Sequence, residues 1–205
     1  MEHLDERIIS IVKKVEQKLQ KQLSWEDQVE SIVKSIPRLH VTQNELDIEM
    51  KKLVLFDQKL EAYIPNDYLE MDIEDVKAKY PHDARPKIIY RNKKDTVNIG
   101  FNILEEGVPE DELLSIRDVM KNAFLAISPS STILDEGDFI QSKSKAAYYS
   151  FNSFAIGGQM YNLLFVSQFG SKSLLICNFN CLKKDMDVHK LLFYGIMKTF
   201  VIIDN

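Results

Sequence analysis

The sequence predicts an α+β fold: an antiparallel sheet with two apolar faces, covered by helices on both sides and preceded by an N-terminal helical hairpin. Three observations carry this expectation. Residues 146–156, 161–169 and 173–181 are short runs rich in aromatic and branched side chains, each closed by turn residues, which is the pattern of three consecutive antiparallel strands. Along these runs Tyr161, Leu163, Phe165 and Phe169 share one face with Ser173, Leu175, Cys177 and Phe179, while Leu164, Val166, Leu174 and Ile176 share the other. A sheet apolar on both faces needs cover on both. Apolar residues spaced three and four apart elsewhere in the chain supply the helices for that cover.

The chain has 205 residues, 45% apolar and 28% charged, enough for one sizeable core and too apolar for wholesale disorder. Its net charge of -5 repels a phosphate backbone, so nucleic acid is not expected as a partner. The first residues lack a basic stretch followed by an apolar run, and no window is long enough to span a bilayer. A cytoplasmic protein without membrane insertion is therefore expected. Cys177 and Cys181 lie on one face of a strand, about 13 Å apart by strand rise, too far to bridge each other. Unpaired thiols suit a reducing compartment.

In chain order, Leu4, Ile8, Ile11, Val12, Val15 and Leu19 form one helical stripe, and Trp25, Val29, Ile32, Val33 and Ile36 a second that Pro37 ends. Ser24, with Asp27 three residues on, reads as a capping box opening the second helix. Residues 38–49 read as a connector, with a domain boundary near residue 50: a helical hairpin and connector over 1–50, and the sheet domain over 51–205. Strands are expected at 52–56 and 59–64, a short acidic helix at 72–80, and a hairpin over 87–104 with a basic tip. The next helix opens at Pro109, with Leu113, Ile116, Val119, Met120, Phe124 and Ile127 as its stripe and Glu110, Asp111 and Glu112 at its positive end. A strand over 132–141 precedes the meander. The segment from Asp185 or Asp187 to Ile203, apolar nearly all round, reads as an enclosed closing helix.

The search for chemistry is negative. His3, His40, His82 and His189 are scattered, and Cys177-x-x-x-Cys181 has no second pair, so no metal site is expected. Gly157-Gly158 joins two strands and opens no helix, so no dinucleotide or phosphate loop is indicated and no cofactor is expected. Ser10-Ile-Val-Lys13 and Ser31-Ile-Val-Lys34 lack the elements that accompany a catalytic Ser-x-x-Lys. Carboxylates at helix starts already serve the helix dipole. Two sets of residues are candidates for partner contact. One is the stripe of the helical hairpin, Ile8, Ile11, Val15, Leu19 and Trp25, which packs either on the sheet domain or on another chain. The other is the basic hairpin tip, with Arg91, Lys93 and Lys94 beside Arg85, Lys87 and Tyr90.

The order of elements, with Tyr63-Ile64-Pro65 closing the first strand pair, Thr96-Val97-Asn98-Ile99 in the hairpin, the helix from Pro109, the meander and a closing helix, resembles the PsbP-like superfamily. That superfamily includes the extrinsic photosystem protein, the Ran-binding Mog proteins and bacterial secretion-effector chaperones. The resemblance covers residues 50–205 and excludes the N-terminal hairpin. It implies an αβα sandwich on an antiparallel sheet and a protein that binds other proteins without catalysis; no site residue carries over. The expected function is a non-catalytic cytosolic protein-binding module, such as an adaptor, a secretion chaperone or an immunity-type protein. Its partner is another protein or a second copy of the chain. The alternative is a small-molecule-binding or enzymatic domain with a site in a groove beside the sheet.

Overall fold

Two antiparallel sheets share one core. The computed structural model describes residues 24–38, 40–43, 46–80, 85–105, 109–141, 144–155, 157–170 and 173–203. The helix expected over 4–23 lies outside these residues. The elements are α1 (Trp25–Ser35), β1 (His40–Gln43), β2 (Leu46–Leu55), β3 (Leu60–Pro65), β4 (Leu69–Glu70), α2 (Ile73–Lys79), β5 (Ile88–Arg91), β6 (Val97–Leu104) and α3 (Leu113–Ile127). They continue as β7 (Thr132–Gln141), β8 (Ser144–Ala155), β9 (Gly158–Phe169), β10 (Ser173–Leu182), α4 (Met186–Lys198) and β11 (Val201–Ile202).

The meander β8-β9-β10 lies within a seven-stranded sheet of order β4-β5-β6-β10-β9-β8-β7. Its two hairpin turns use glycines in left-handed conformations, Gly158 at φ 115 and Gly170 at φ 65. As the alternation predicts, Tyr161, Leu163, Phe165, Leu175, Cys177 and Phe179 are buried together in the main core, with Val97, Ile99 and Phe101 of β6. α4 closes that core: every residue from Leu191 to Met197 is buried, which explains its lack of a polar face. The small sheet β1-β2-β3-β11 contributes Val41, Met50, Leu60, Ala62 and Ile64 to the same core. On the other face, α3 covers Ala147, Val166 and Leu174 through Leu113.

Several elements depart from expectation. The connector over 38–49 is the β1–β2 hairpin, in register from His40–Glu49 to Gln43–Leu46, and β2 runs unbroken through residue 50. Val119 and Ile127, assigned to the buried stripe of the third helix, are 65% and 81% exposed. Arg117 takes the sheet-facing position between Leu113 and Met120, its head donating to the Gly137 carbonyl and Asp118. Ile127 is the last residue of α3 and is left exposed at the helix end, although it lies on the same side of the helix as Leu113. The closing helix stops at Lys198, where the Thr199 hydroxyl donates to the Ile196 carbonyl at 2.8 Å. Phe200 then enters the core, and Val201–Ile202 pairs with β3.

Candidate functional site

On the outer face of the seven-stranded sheet, two helices leave a gap between them. α2 packs on β5 through Val76 against Ile89 and Met71, and α3 packs on β8 and β9. β6, β10 and part of β9 lie between. The result is a groove of about 450 Å³. Asn102, Asn162, Asn178, Leu164 and Ile176 form its floor, Lys79, Tyr80, Arg85 and Pro86 one wall, and Met120 and Phe151 the other. Pro86 is seated on the sheet because β6 has Gly100 beneath it: a Cβ there would come within 2.7 Å of Pro86 Cγ and collide with Asn178 Oδ1.

At the Lys79 end of the groove, asparagines stand in cross-strand register. Asn98, Asn180 and Asn162 sit side by side across β6, β10 and β9. Asn98 Nδ2 donates to Asn180 Oδ1 at 3.0 Å, Lys79 Nζ donates to Asn98 Oδ1 at 3.2 Å, and Asn162 Nδ2 donates to Ser153 Oγ at 2.9 Å. Tyr80 stands at the same end, and burial raises its hydroxyl above the usual phenol range. Four residues along β6 the pattern changes, because Asn102 faces Ile176. Asn102 Oδ1 is buried and accepts no hydrogen bond from the described residues. An orphaned buried acceptor costs about 1–3 kcal/mol unless a donor reaches it.

The residues nominated by sequence fall on different surfaces. Ile8, Ile11, Val15 and Leu19 lie outside the described residues. Trp25, 37% exposed, packs edge-on to Tyr194 at 5.5 Å, with Lys190 Nζ 4.9 Å above its ring, on the α4 side of the sheet. Arg91 belongs to the opposite side, ion-paired with Asp75 of α2 and 3.8 Å from Asp95. Lys93 and Lys94 are exposed at the β5–β6 turn. Lys93 borders a second, wider cleft of about 700 Å³, with Asp47, Glu49, Asp67 and His189 among its lining. Sequence reading missed the groove asparagines. Their signal was present: Asn98 and Asn102, and Asn178 and Asn180, recur at even spacing inside strands, where asparagine is disfavoured.

The arrangement offers recognition groups more than reactive ones. Burial holds the Cys177 thiol well above its ordinary value and pushes Cys181 up to about 12, so neither supplies a thiolate near neutrality. Among the described residues no three His, Cys, Asp or Glu side chains converge as metal ligands, and no helix is long and apolar enough to cross a membrane. No protein-family model matches the sequence, and no curated protein matches it. Solved structures do match. The solution structure of cyanobacterial PsbP (CyanoP) from Synechocystis sp. PCC 6803 aligns over 81% of this chain and 99% of its own, with a TM-score of 0.57 and 13% identity. The fold is PsbP-like. LpqN of Mycobacterium tuberculosis, a protein involved in cell envelope biogenesis, aligns over 76% of this chain and 91% of its own, with a TM-score of 0.50 and 14% identity. At these identities the PsbP-like likeness speaks for architecture alone.

Proposed function

We propose that the protein is a non-catalytic binding module that holds a segment of a partner protein in the groove between α2 and α3. The groove itself carries this reading. It is open to solvent, one wall is apolar through Met120 and Phe151, and among the described residues its lining contains amides and two cations, with no nucleophile beside a base. Amides neither take nor give protons near neutral pH, so they suit recognition better than acid–base work. The two buried, protonated thiols are consistent with a cytosolic setting.

The test is partner capture from extracts of the native host by the wild-type chain and by Met120→Glu, with thermal unfolding followed in both. Met120 is half-buried on the groove wall. The variant is expected to keep its cooperative transition and to bind the wild-type partner at least about tenfold more weakly, the loss of roughly 1.4 kcal/mol or more that a buried charge imposes. Capture of the same partner at wild-type affinity overturns the assignment. A small molecule retained stoichiometrically in native mass spectra, and lost in the variant, replaces it with the small-ligand alternative.

A further inference from the structure

Resting on that reading of the groove, the lining also limits the chemistry of the segment. Among the described residues the groove is lined by Lys79 and Arg85 and by no carboxylate, although the chain as a whole has net charge -5. Lys79 is already engaged by Asp95 at 2.6 Å and by Asn98, and Arg85 also has contacts of its own. A paired cation still accepts a further carboxylate, because an ammonium has three donors and a guanidinium five. Between these cations and Asn102 the lining is mixed, with Leu164, Ile176, Met120 and Phe151 as its apolar part beside Asn162 and Asn178. At the far end Asn102 Oδ1 lacks a donor among the described residues, and a main-chain N–H supplies one in any extended peptide.

We infer that the occupant is an extended peptide segment with an apolar side chain next to an acidic residue. The apolar group lies against Leu164, Ile176, Met120 and Phe151, the carboxylate faces Lys79 and Arg85, and a main-chain N–H donates to Asn102 Oδ1. The same cations disfavour a basic segment.

Calorimetric titration of the full chain tests this with three probes: acetyl-Asp-Leu-Phe-Asp-amide, acetyl-Lys-Leu-Phe-Lys-amide and hexanoate. The acidic peptide is expected to bind at least about tenfold more tightly than the basic one, with the margin shrinking at high salt. Asn102→Leu is expected to weaken the acidic peptide about fivefold, with no loss in thermal stability, since the substitution removes an orphaned acceptor. Equal binding of the two peptides overturns the inference, as does full affinity in Asn102→Leu. Hexanoate binding as tightly as the peptide assigns the groove to small acids instead. No peptide binding, with partner capture still broken by Met120→Glu, defeats the acidic-segment inference and leaves the binding-module reading standing. Capture untouched by Met120→Glu defeats that reading itself.

Discussion

At the level of single residues, Gln58 occupies a position that its side chain does not favour. Phe56, Asp57 and Gln58 form a left-handed run at φ 54, 53 and 67 in the β2–β3 turn, where an L residue costs roughly 1–2 kcal/mol. Phe56 compensates by packing edge-on to Phe169 at 5.9 Å. Gln58→Gly is expected to raise stability by about 0.5–1 kcal/mol, less than the full strain because glycine adds entropy to the unfolded chain. A higher denaturant midpoint at unchanged slope would show it, and a lower midpoint would contradict it. Phe165 is the opposite case, fully buried against Phe139 and Phe200. Period-two alternation alone placed it inward. Phe165→Ala should cost about 3–5 kcal/mol in equilibrium unfolding, and a cost below about 1 kcal/mol would contradict its place in the core. His189 brings a pH dependence, since burial lowers its pKa below 6.5. The unfolded chain takes up this proton first, so the contribution is present above pH 6.5 and is lost as pH falls through the folded value. Stability measured from pH 7 downward should fall less in His189→Gln than in the wild type over that window; parallel curves would remove His189 from the account.

At the level of elements, what could be read from the sequence follows signal strength. The α1 start was legible because a capping box has a fixed spacing: Asp27 N–H donates to Ser24 Oγ at 3.2 Å, and Ser24 N–H donates to Asp27 Oδ2 at 3.3 Å. Ser24→Ala should therefore cost about 1 kcal/mol, measured by thermal unfolding, and an unchanged transition would make the cap ornamental. The meander was legible because each strand runs ten residues or more and carries apolar residues toward both faces at its middle, as Leu163 and Phe165 inward and Leu164 and Val166 outward in β9. β1 and the start of β2 were not. Their inward positions alternate among polar neighbours over only a few residues, and buried Gln43 is held by its Nε2 donating to the Val188 carbonyl at 2.9 Å, a contact 145 positions away. The even spacing of the asparagines was there to be read, but which of them meet was not, for a related reason. Their partners sit across the sheet, Asn98 to Asn180 at a separation of 82, and only the folded register brings them together.

At the level of the whole molecule, the N-terminal region divides into a part that completes the core and a part that the sequence offers to a partner. α1 packs on α4, and its Val29 and Ile32, with Ile36 just after it, are buried in the core. At about 1.5–3 kcal/mol per buried aliphatic side chain, their loss approaches the whole stability of a typical domain, about 5–15 kcal/mol. A chain lacking residues 1–40 is accordingly expected to aggregate or to lose its cooperative transition. A chain lacking only residues 1–23 keeps Ser24 and its cap, and should unfold as cooperatively as the full chain. That shorter deletion removes Ile8, Ile11, Val15 and Leu19 while leaving the groove intact, so it separates the two candidate surfaces. Capture that survives the deletion and fails in Met120→Glu assigns the partner to the groove, which is the expected result. Capture or self-association that disappears with residues 1–23, in a protein still folded by calorimetry and sedimenting as a monomer, transfers the contact to the N-terminal stripe and displaces the groove as the working surface.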